Sequence, residues 1–269
     1  MRIIFLLFSA LTSSLVSSQS LPTPLYESTF NGSDWNSAAG FSVTATNIMR
    51  DNDQFAMANS SVYLYTGHGD LQLEGTNAAL KEQGTISFFA NYSNPGATPN
   101  VVTSINGAYP ILYLNNGTST YGEGLMFGIS TGGKLILKSY ISNTSGYSNQ
   151  STEDLNPNQW HHFAISYKFG LNGYITVYRN GKQIIHQEVH HQLTNNTYPF
   201  QFLGHTIPGS TYKPSLNSYL DEIRAYSTSF TEAQVKELYT SYFTIGKGSV
   251  TAKYNFNDGN FNDYYGNVQ

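Results

Sequence analysis

The chain has 269 residues, a formal net charge of −4 at pH 7 and no cysteine. The lack of cysteine excludes disulfides, thiolate metal sites and cysteine nucleophiles. Lysine and arginine do not cluster, so the charge pattern indicates neither a nucleic-acid-binding surface nor one that binds anionic membranes. Without disulfides, a chain of this size must be stabilised by its hydrophobic core, which favours one large domain.

Residues 1–18 have the pattern of a secretory signal peptide. A single early Arg2 precedes the apolar run Ile3 to Leu11, and small polar residues follow as far as Ser18. The apolar run is too short to span a bilayer, and no later stretch is apolar enough to do so. We therefore predict cleavage before Gln19 and a secreted, extracellular product without membrane insertion.

Short strand patterns fill the body of the chain. Gly, Asn, Pro or Ser bounds nearly all of them, which is typical of a β-sandwich. No long stretch has the helical period, which excludes a helical bundle and a parallel α/β sheet. The clearest strands are predicted at Ser61 to Thr66, Gly84 to Asn91, Gly124 to Ser130, Lys134 to Ile141, His161 to Tyr167, Tyr174 to Arg179 and Gln183 to Val189.

A β-hairpin is predicted around Asn180-Gly181. These two residues accept positive φ at both central positions, which suits the type I′ turn between antiparallel strands. The flanking strands are Tyr174 to Arg179 and Lys182 to His186. The strand from Trp160 to Tyr167 precedes the hairpin and is entered through the turn-forming Asn156-Pro157-Asn158.

One short helix is predicted from Thr231 to Tyr239. Thr231 suits the N-cap, and Gln234 stands at the capping-box position. Phe230 is placed to pack on Val235 across the first turn. The helix must pack against a sheet, because its apolar stripe is narrow: Val235, Leu238 and Tyr239.

The residues after Ile245 are predicted to lie outside the main domain. Gly246-Lys247-Gly248-Ser249 has the composition of a linker. The segment Tyr254 to Asn267 loosely repeats the pattern of Leu25 to Asn36. The repeat predicts that 246–269 begins an incomplete second module, and the alternative is a disordered polar tail.

Tyrosine and the sequons have two interpretations each. The chain has 21 Tyr, 16 Phe and 2 Trp, and these rings favour β-rich cores but also stack on sugars. Chance alone gives about five Asn-x-Ser/Thr sequons in a chain this rich in Asn, Ser and Thr. If glycosylated, they are expected on surface loops. The seven sequons begin at Asn31, Asn59, Asn91, Asn116, Asn143, Asn149 and Asn195.

Four segments, in their order along the chain, resemble the laminin-G-like, concanavalin-A-like and pentraxin-like superfamily. Gly84 to Ala90 resembles the family's fTisaWv strand, with Phe where Trp is usual. Asn158 to Ala164 resembles its gqWhHvA strand, and Val177 to Gly181 resembles its lYvNG hairpin. Tyr219 to Val235 resembles the closing yiDEvriYnraLs strand and helix. The resemblance covers roughly Leu25 to Ile245.

The resemblance implies an all-β fold for residues 21–245, a two-sheet antiparallel jelly-roll sandwich with one short C-terminal helix. It also implies an adhesion or recognition module, often with calcium, although glycosidases and polysaccharide lyases share this architecture. We predict a non-enzymatic module that binds a glycan or glycoprotein. The alternatives are a polysaccharide-cleaving enzyme and a structural component of an extracellular coat or matrix. The sequence leaves the ligand and the oligomeric state open.

The acidic residues do not match a hydrolase pattern. A retaining glycosidase needs two carboxylates about 5 Å apart, and the family's Glu-x-Asp-x-x-Glu signature is absent. Asp51 and Asp53 are expected in a solvated turn. Asp221 and Glu222 are adjacent, so they are expected on opposite faces of a strand and not as a catalytic pair.

The histidines do not predict a metal site. His186 and His190 share a strand face but are separated by about 13 Å. They are too far apart for one zinc ion, so placement at a surface or sheet edge is expected. His162 matches a family position and is expected to be structural, beside Trp160.

The resemblance implies calcium as the most credible ion. Asp221 matches a family position whose carboxylate, together with backbone carbonyls near the N-terminal strand, holds a structural calcium in many relatives. Asp34 and the carbonyls of Asn31 and Gly32 are the candidate co-ligands, since oxygen ligands from loops suit this ion. The alternative is that Asp221 pairs with Arg224 or caps a neighbouring backbone amide.

Overall fold

The structure, a computed structural model, describes residues 20–28, 30, 42–46, 48–51, 61–64, 70–74, 80, 82–92, 108–115, 124–130, 133–140, 146–191, 200–202 and 218–243. The predicted signal peptide at 1–18 and the predicted tail at 246–269 lie outside these ranges and stay predictions. None of the helical structure within the described ranges has the length and hydrophobicity needed to cross a bilayer.

The described residues form fifteen strands and one helix, α1 (Glu232–Ser241). This confirms the predicted all-β fold. The strands are β1 (Tyr26–Ser28), β2 (Ser42–Thr46), β3 (Ile48–Asp51), β4 (Ser61–Leu64), β5 (Asp70–Glu74), β6 (Gln83–Tyr92), β7 (Ala108–Asn115), β8 (Gly124–Ser130), β9 (Lys134–Tyr140), β10 (Gly146–Asp154), β11 (Trp160–Lys168), β12 (Gly173–Arg179), β13 (Lys182–Val189), β14 (Phe200–Phe202) and β15 (Ser218–Tyr226).

The strands pair into two antiparallel sheets. The first sheet has eight strands in the order β13-β12-β11-β6-β15-β4-β3, with β1 also paired to β15. The second sheet has seven strands in the order β10-β9-β8-β7-β14-β5-β2. Strands that are distant in the chain are therefore neighbours in space. For example, β6 lies between β11 and β15. The predicted two-sheet jelly-roll sandwich is confirmed.

The main hydrophobic core lies between the two sheets. Alternation along β11 directs Phe163, Ile165 and Tyr167 into this core. The ring centroid of Phe163 lies 5.9 Å from that of Phe88 on the neighbouring strand. It lies 5.2 Å from that of Phe127, which belongs to the other sheet. These three buried rings join the two layers.

The predicted hairpin is present. β12 and β13 are antiparallel, and Asn180 and Gly181 connect them with φ values of 52° and 77°. Positive φ at both positions is what a type I′ turn requires. The turn lies against α1, because a Cβ added to Gly181 would stand 3.3 Å from a ring carbon of Tyr239 and 3.4 Å from the Cα of Lys236.

We expect Gly181→Ala to lower the free energy of unfolding by about 1–2 kcal/mol. A side chain at φ 77° places Cβ against the following carbonyl oxygen. Urea unfolding measures the change. Asn180→Asp is the matched control, since aspartate also tolerates a φ of 52° and keeps the side-chain oxygen that accepts the His162 N–H, and it should cost less than ~1 kcal/mol. Equal stability of Gly181→Ala and the wild type would contradict this description of the turn.

Helix α1 begins as predicted. The Thr231 hydroxyl accepts a hydrogen bond from the Gln234 backbone N–H at 3.4 Å, and the Gln234 side chain accepts one from the Thr231 N–H at 3.0 Å. This reciprocal pair is the predicted capping box. The helix packs on the outer face of the first sheet through a second apolar cluster, formed by Ala164, Tyr178, Tyr226, Phe230, Val235 and Leu238.

Candidate ligand-binding face

Four rows of side chains cross the outer face of the eight-stranded sheet. Residues directly opposite each other on antiparallel strands share a face, so the pairing register of β11, β6 and β15 sets each row. Neighbouring rows are two residues apart along each strand, apart from a register shift in β15. The rows are Ser166-Thr85-Tyr226, Ala164-Ser87-Arg224, His162-Phe89-Asp221 and Trp160-Asn91-Tyr219.

The first two rows are bonded to the segment that contains α1. The Ser166 hydroxyl donates to the Phe230 carbonyl at 2.9 Å, and the Phe230 N–H donates to the Thr85 hydroxyl at 2.9 Å. The oxygen of Ser87 is 3.3 Å from the Tyr242 hydroxyl. Because these hydroxyls are satisfied within the protein, we assign the two rows to stability.

His162 in the third row is a structural residue, as predicted. Its side chain is fully buried, and its Nε2 lies 2.8 Å from the Ser87 hydroxyl. The imidazole also packs against Tyr239 and Tyr242 near the end of α1, each with a ring-centroid distance of 5.4 Å. Burial, with a smaller contribution from the Arg224 charge, lowers the pKa of His162 to about 3. The histidine is therefore neutral at physiological pH.

His161 points to the opposite face of β11. It is 8% exposed, and its Nε2 is 3.4 Å from the Asn156 carbonyl. Burial, with a smaller contribution from the Arg179 charge, lowers the pKa of His161 to about 4. His161 and His162 are thus consecutive in β11, lie on opposite faces of the sheet and are both held neutral.

The fourth row carries three aromatic side chains and extends onto β4. Tyr63 is paired with Tyr219, which is paired with Asn91, which in turn is paired with Trp160. The ring of Tyr219 lies 4.7 Å from that of Tyr63 and 6.0 Å from that of Trp160, between centroids. All four side chains are half-buried, so each reaches solvent in part. We call Tyr63, Tyr219, Asn91 and Trp160 the aromatic row.

Burial, together with the negative charge of Asp51, raises the pKa of the Tyr219 hydroxyl. Asp51 is exposed and is the last residue of β3. A solvated turn was expected at Asp51. Asp51 instead ends a strand, because β3 pairs with β4 as far as the Asp51–Ser61 pair. Asp53, the other residue of that acidic pair, lies outside the described residues.

Asp221 lies at an irregularity of β15. Its side chain is 1% exposed, and Oδ1 accepts a hydrogen bond from the Glu222 N–H at 2.7 Å. Glu222 has a φ of 50°, and the pairing with β6 shifts between Asp221 and Arg224. One carboxylate oxygen therefore caps a neighbouring backbone amide, which was one of the two alternatives for this residue. The predicted co-ligands Asp34, Asn31 and Gly32 lie outside the described residues.

The same irregularity changes the position of Glu222. Its carboxylate lies 3.3 Å from the Arg224 guanidinium, which also contacts Glu27 at 2.6 Å. The guanidinium carbon of Arg224 stands 4.5 Å above the centre of the Tyr242 ring on the outer face. Asp221 and Glu222 were expected on opposite faces because side chains alternate along a regular strand. That alternation is interrupted here because the strand is bulged.

His186 and His190 lie in and just after the edge strand β13. His186 and His190 are exposed, the first in β13 and the second just after it. The Nδ1 of His186 is 2.8 Å from the Thr176 hydroxyl, and the Nε2 of His190 is 3.8 Å from Glu188. Within the described residues, no three histidine or acidic side chains are arranged to hold a metal ion. The expected edge placement of these two histidines is confirmed.

Two sequon asparagines lie in described residues, and both are in strands. Asn91 is at the centre of the aromatic row, in β6. Asn149 is in the edge strand β10, where its side-chain amide donates to the His186 carbonyl at 3.0 Å. Both differ from the expected surface-loop placement, because β6 pairs with β11 at Asn91 and β10 pairs with β9 at Asn149. The other five sequon asparagines lie outside the described residues.

The family comparison agrees with the fold. The family model described as the concanavalin A-like lectin/glucanases superfamily matches residues 64–236, from the end of β4 into α1. No curated protein matches the sequence.

Several solved structures are similar in fold. The receptor-binding domain of botulinum neurotoxin type G has a TM-score of 0.60 at 14% identity, with 82% of this chain and 52% of that chain covered. The binding domain of botulinum neurotoxin DC in complex with rat synaptotagmin II gives 0.59 at 15%, with 81% and 51% covered. The same domain in complex with SialylT gives 0.58 at 14%, with 83% and 53% covered. The chain spans about half the length of these structures, and at such identity the similarity shows the fold alone.

Proposed function

The chain belongs to the concanavalin A-like lectin/glucanases superfamily, and from this premise we propose that it is a secreted, non-enzymatic recognition or adhesion module for a glycan or glycoprotein. The observation that carries the proposal is the family match, which includes most strands of the sandwich. Secretion is proposed from the signal-peptide pattern of residues 1–18.

The structures with a similar fold support a binding role in general terms. They are named as binding domains, and two of them are complexes, one with rat synaptotagmin II and one with SialylT. These ligands belong to those proteins, because a shared fold does not transfer a ligand. What is proposed for this chain is the class of activity, attachment to a partner without chemical change.

The contacts of Asp221 and Glu222 do not suit a hydrolytic role for this acidic pair. A retaining glycosidase needs two carboxyl groups about 5 Å apart that act on the substrate. The Asp221 carboxylate is buried and accepts the Glu222 N–H, and the Glu222 carboxylate lies beside the Arg224 guanidinium. Both groups stabilise the bulge in β15, so neither suits the role of nucleophile or acid.

A panel of polysaccharides tests the proposal. The full chain is incubated with each polymer, and retention of protein on the polymer and release of reducing ends are both measured. We expect retention on at least one polymer without reducing-end release. Release that persists in a homogeneous sample would replace the proposal with the polysaccharide-cleaving alternative. Absence of both retention and release would favour the structural alternative.

We also propose that Asp221 and Asp34 hold a structural calcium ion, with loop carbonyls completing its shell. Asp221 fits such a role, since it supplies a buried, hard carboxylate oxygen, and calcium takes six to eight oxygen ligands. Its ligands beyond Asp221 belong to the segment 31–34, outside the described residues. The bound ion would offset the cost of burying the carboxylate and take no part in chemistry.

Chelation of calcium is expected to lower the melting temperature of the wild type. A ligand that binds only the folded state at a hundred times its dissociation constant adds about 2.7 kcal/mol of stability. Asp221→Asn should remove this calcium sensitivity, whatever its effect on stability without calcium. Asp154→Asn, which changes an exposed carboxylate on β10, should retain the sensitivity. A wild-type melting temperature that is the same with and without chelator refutes the site.

A further inference from the structure

The aromatic row lies on the outer face of the sheet, and the packing of α1 does not explain its role. Tyr239, Tyr242 and Phe243 contact the third row, where Phe89 lies 5.0 Å from Tyr242 and 6.3 Å from Phe243, between ring centroids. The fourth row is next along the strands, and its four side chains are half-buried. Large aromatic side chains that are partly exposed in a contiguous group are typical of binding surfaces.

We propose that the aromatic row is the carbohydrate-binding platform of this protein and takes a neutral oligosaccharide, a proposal that rests on the function proposed above. The C–H face of a sugar ring packs on the negatively polarised face of an aromatic ring. The Asn91 amide and the hydroxyls of Tyr63 and Tyr219 can exchange hydrogen bonds with sugar hydroxyls at the same surface.

The length of the row selects an oligosaccharide over a single sugar. Its four residues lie on the adjacent strands β4, β15, β6 and β11. Neighbouring strands are about 4.8 Å apart, so the row extends about 14 Å across the sheet. A ligand that contacts both Tyr63 and Trp160 must therefore contain several sugar rings laid across the strands.

An exposed negative charge beside the row selects a neutral ligand. Asp51 lies two residues after Met49, the partner of Tyr63 on the neighbouring strand β3, and its charge acts on the Tyr219 hydroxyl. Carboxylates accept hydrogen bonds from the hydroxyls of a neutral sugar, whereas they repel the carboxylate or sulfate groups of an acidic polysaccharide. The Asp51 carboxylate next to the row thus opposes an acidic ligand.

Tryptophan fluorescence gives a direct readout of this site. The chain has two tryptophans, so Trp35→Phe leaves Trp160 as the only reporter. The protein is produced in a bacterial host, so that no carbohydrate on Asn91 occupies the row. The probe is a neutral oligosaccharide prepared from a polymer that retains the protein. Its titration should change the Trp160 emission until the site is saturated.

Substitutions in the row test the assignment. Tyr219→Leu should raise the dissociation constant about tenfold, equivalent to about 1.4 kcal/mol. Tyr219→Phe keeps the aromatic ring and loses only the hydroxyl, so it should weaken binding less than Tyr219→Leu does. Tyr63→Leu serves where Tyr219→Leu does not fold. Tyr174→Leu is the matched control, because Tyr174 is also half-buried on this sheet but stacks on His186 in β13; it should bind as the wild type.

Each outcome decides the proposal. Saturable binding that is weakened by Tyr219→Leu or Tyr63→Leu, with an unchanged melting temperature and unaffected Tyr174→Leu, supports it. Binding of a neutral glycan that neither row variant weakens overturns the platform and leaves the recognition function standing. If the protein is retained on acidic polysaccharides and on no neutral one, the platform is overturned and the recognition function still stands. If the wild type binds no glycan of any kind, the platform fails and the glycan-binding function fails with it.

Discussion

Lowering the pH from about 7 to about 4.5 is expected to reduce the free energy of unfolding by roughly 4–5 kcal/mol through two histidines alone. His161 and His162 are buried, and their pKa values fall from 6.5 to about 4 and about 3 in the folded protein. Between pH 6.5 and 4 the unfolded chain binds protons that the folded chain does not. Stability is therefore fully present above pH 6.5 and declines as the pH falls through this window.

The cost of protonation is high because both imidazoles are enclosed. The Nδ1 atoms of His161 and His162 are buried with no hydrogen-bond partner among the described residues. A proton added to His162 would lie below the end of α1, close to the Arg224 charge. A proton added to His161 would lie near the charge of Arg179. Like charges and burial thus oppose protonation in both places.

Guanidinium unfolding at a series of pH values checks this prediction. His162→Asn should be less stable than the wild type at pH 7, because Ser87 loses its imidazole partner. The same variant should lose about 2–3 kcal/mol less on acidification than the wild type. His161→Asn should reduce the acid sensitivity by a similar amount. A wild type that is equally stable at both pH values would contradict the buried neutral state of these histidines.

Phe163→Ala is expected to lower the free energy of unfolding by about 3–5 kcal/mol. The side chain is fully buried, and it contacts Phe88 within its sheet and Phe127 across the core. Removing the ring leaves a cavity where the two sheets meet, and paired backbones on both sides limit its collapse.

Chemical unfolding of Phe163→Ala and two companion variants measures the effect. Phe163→Leu retains part of the packing and should cost less than Phe163→Ala. Leu171→Ala, at an 85% exposed position between β11 and β12, should change stability by less than ~0.5 kcal/mol. A Phe163→Ala protein with near wild-type stability would show that the two sheets do not pack through this residue.

The local features of the fold could be predicted from the sequence because they depend on neighbouring residues. Asn180-Gly181 determines a turn through its own backbone preferences, and Thr231 with Gln234 determines where the helix begins. Trp160 to Tyr167 could be predicted as a strand for the same reason. The ordered resemblance of four segments then supplied the two-sheet architecture.

The candidate site could not be predicted in this way, because its parts come together only through strand order. Tyr63, Asn91, Trp160 and Tyr219 lie on four strands that are adjacent in the sheet but separated along the chain. Each residue taken alone is compatible with core packing. A signal was present in the alternation of β15, where Leu220 faces the core and Tyr219 faces outward, but it does not identify the neighbours.

The bulge in β15 also lies beyond local reasoning. Glu222 has no residue-type signal for a φ of 50°, which non-glycine residues rarely adopt. The strand pattern of Tyr219 to Tyr226 therefore predicts regular alternation, and the position of Glu222 beside Arg224 follows only from the folded structure. The capping of the Glu222 amide by Asp221 has the same origin.

One experiment tests most directly the claim that this protein recognises a glycan without cleaving it. An oligosaccharide prepared from a polymer that retains the protein is titrated into the protein in a calorimeter. After long incubation the oligosaccharide is recovered and its length is measured by chromatography. The account predicts saturable binding and recovery of the oligosaccharide at its original length. Shortened chains that accumulate with time and in proportion to the protein concentration would contradict it, as would the absence of any binding heat with every polymer fragment tested.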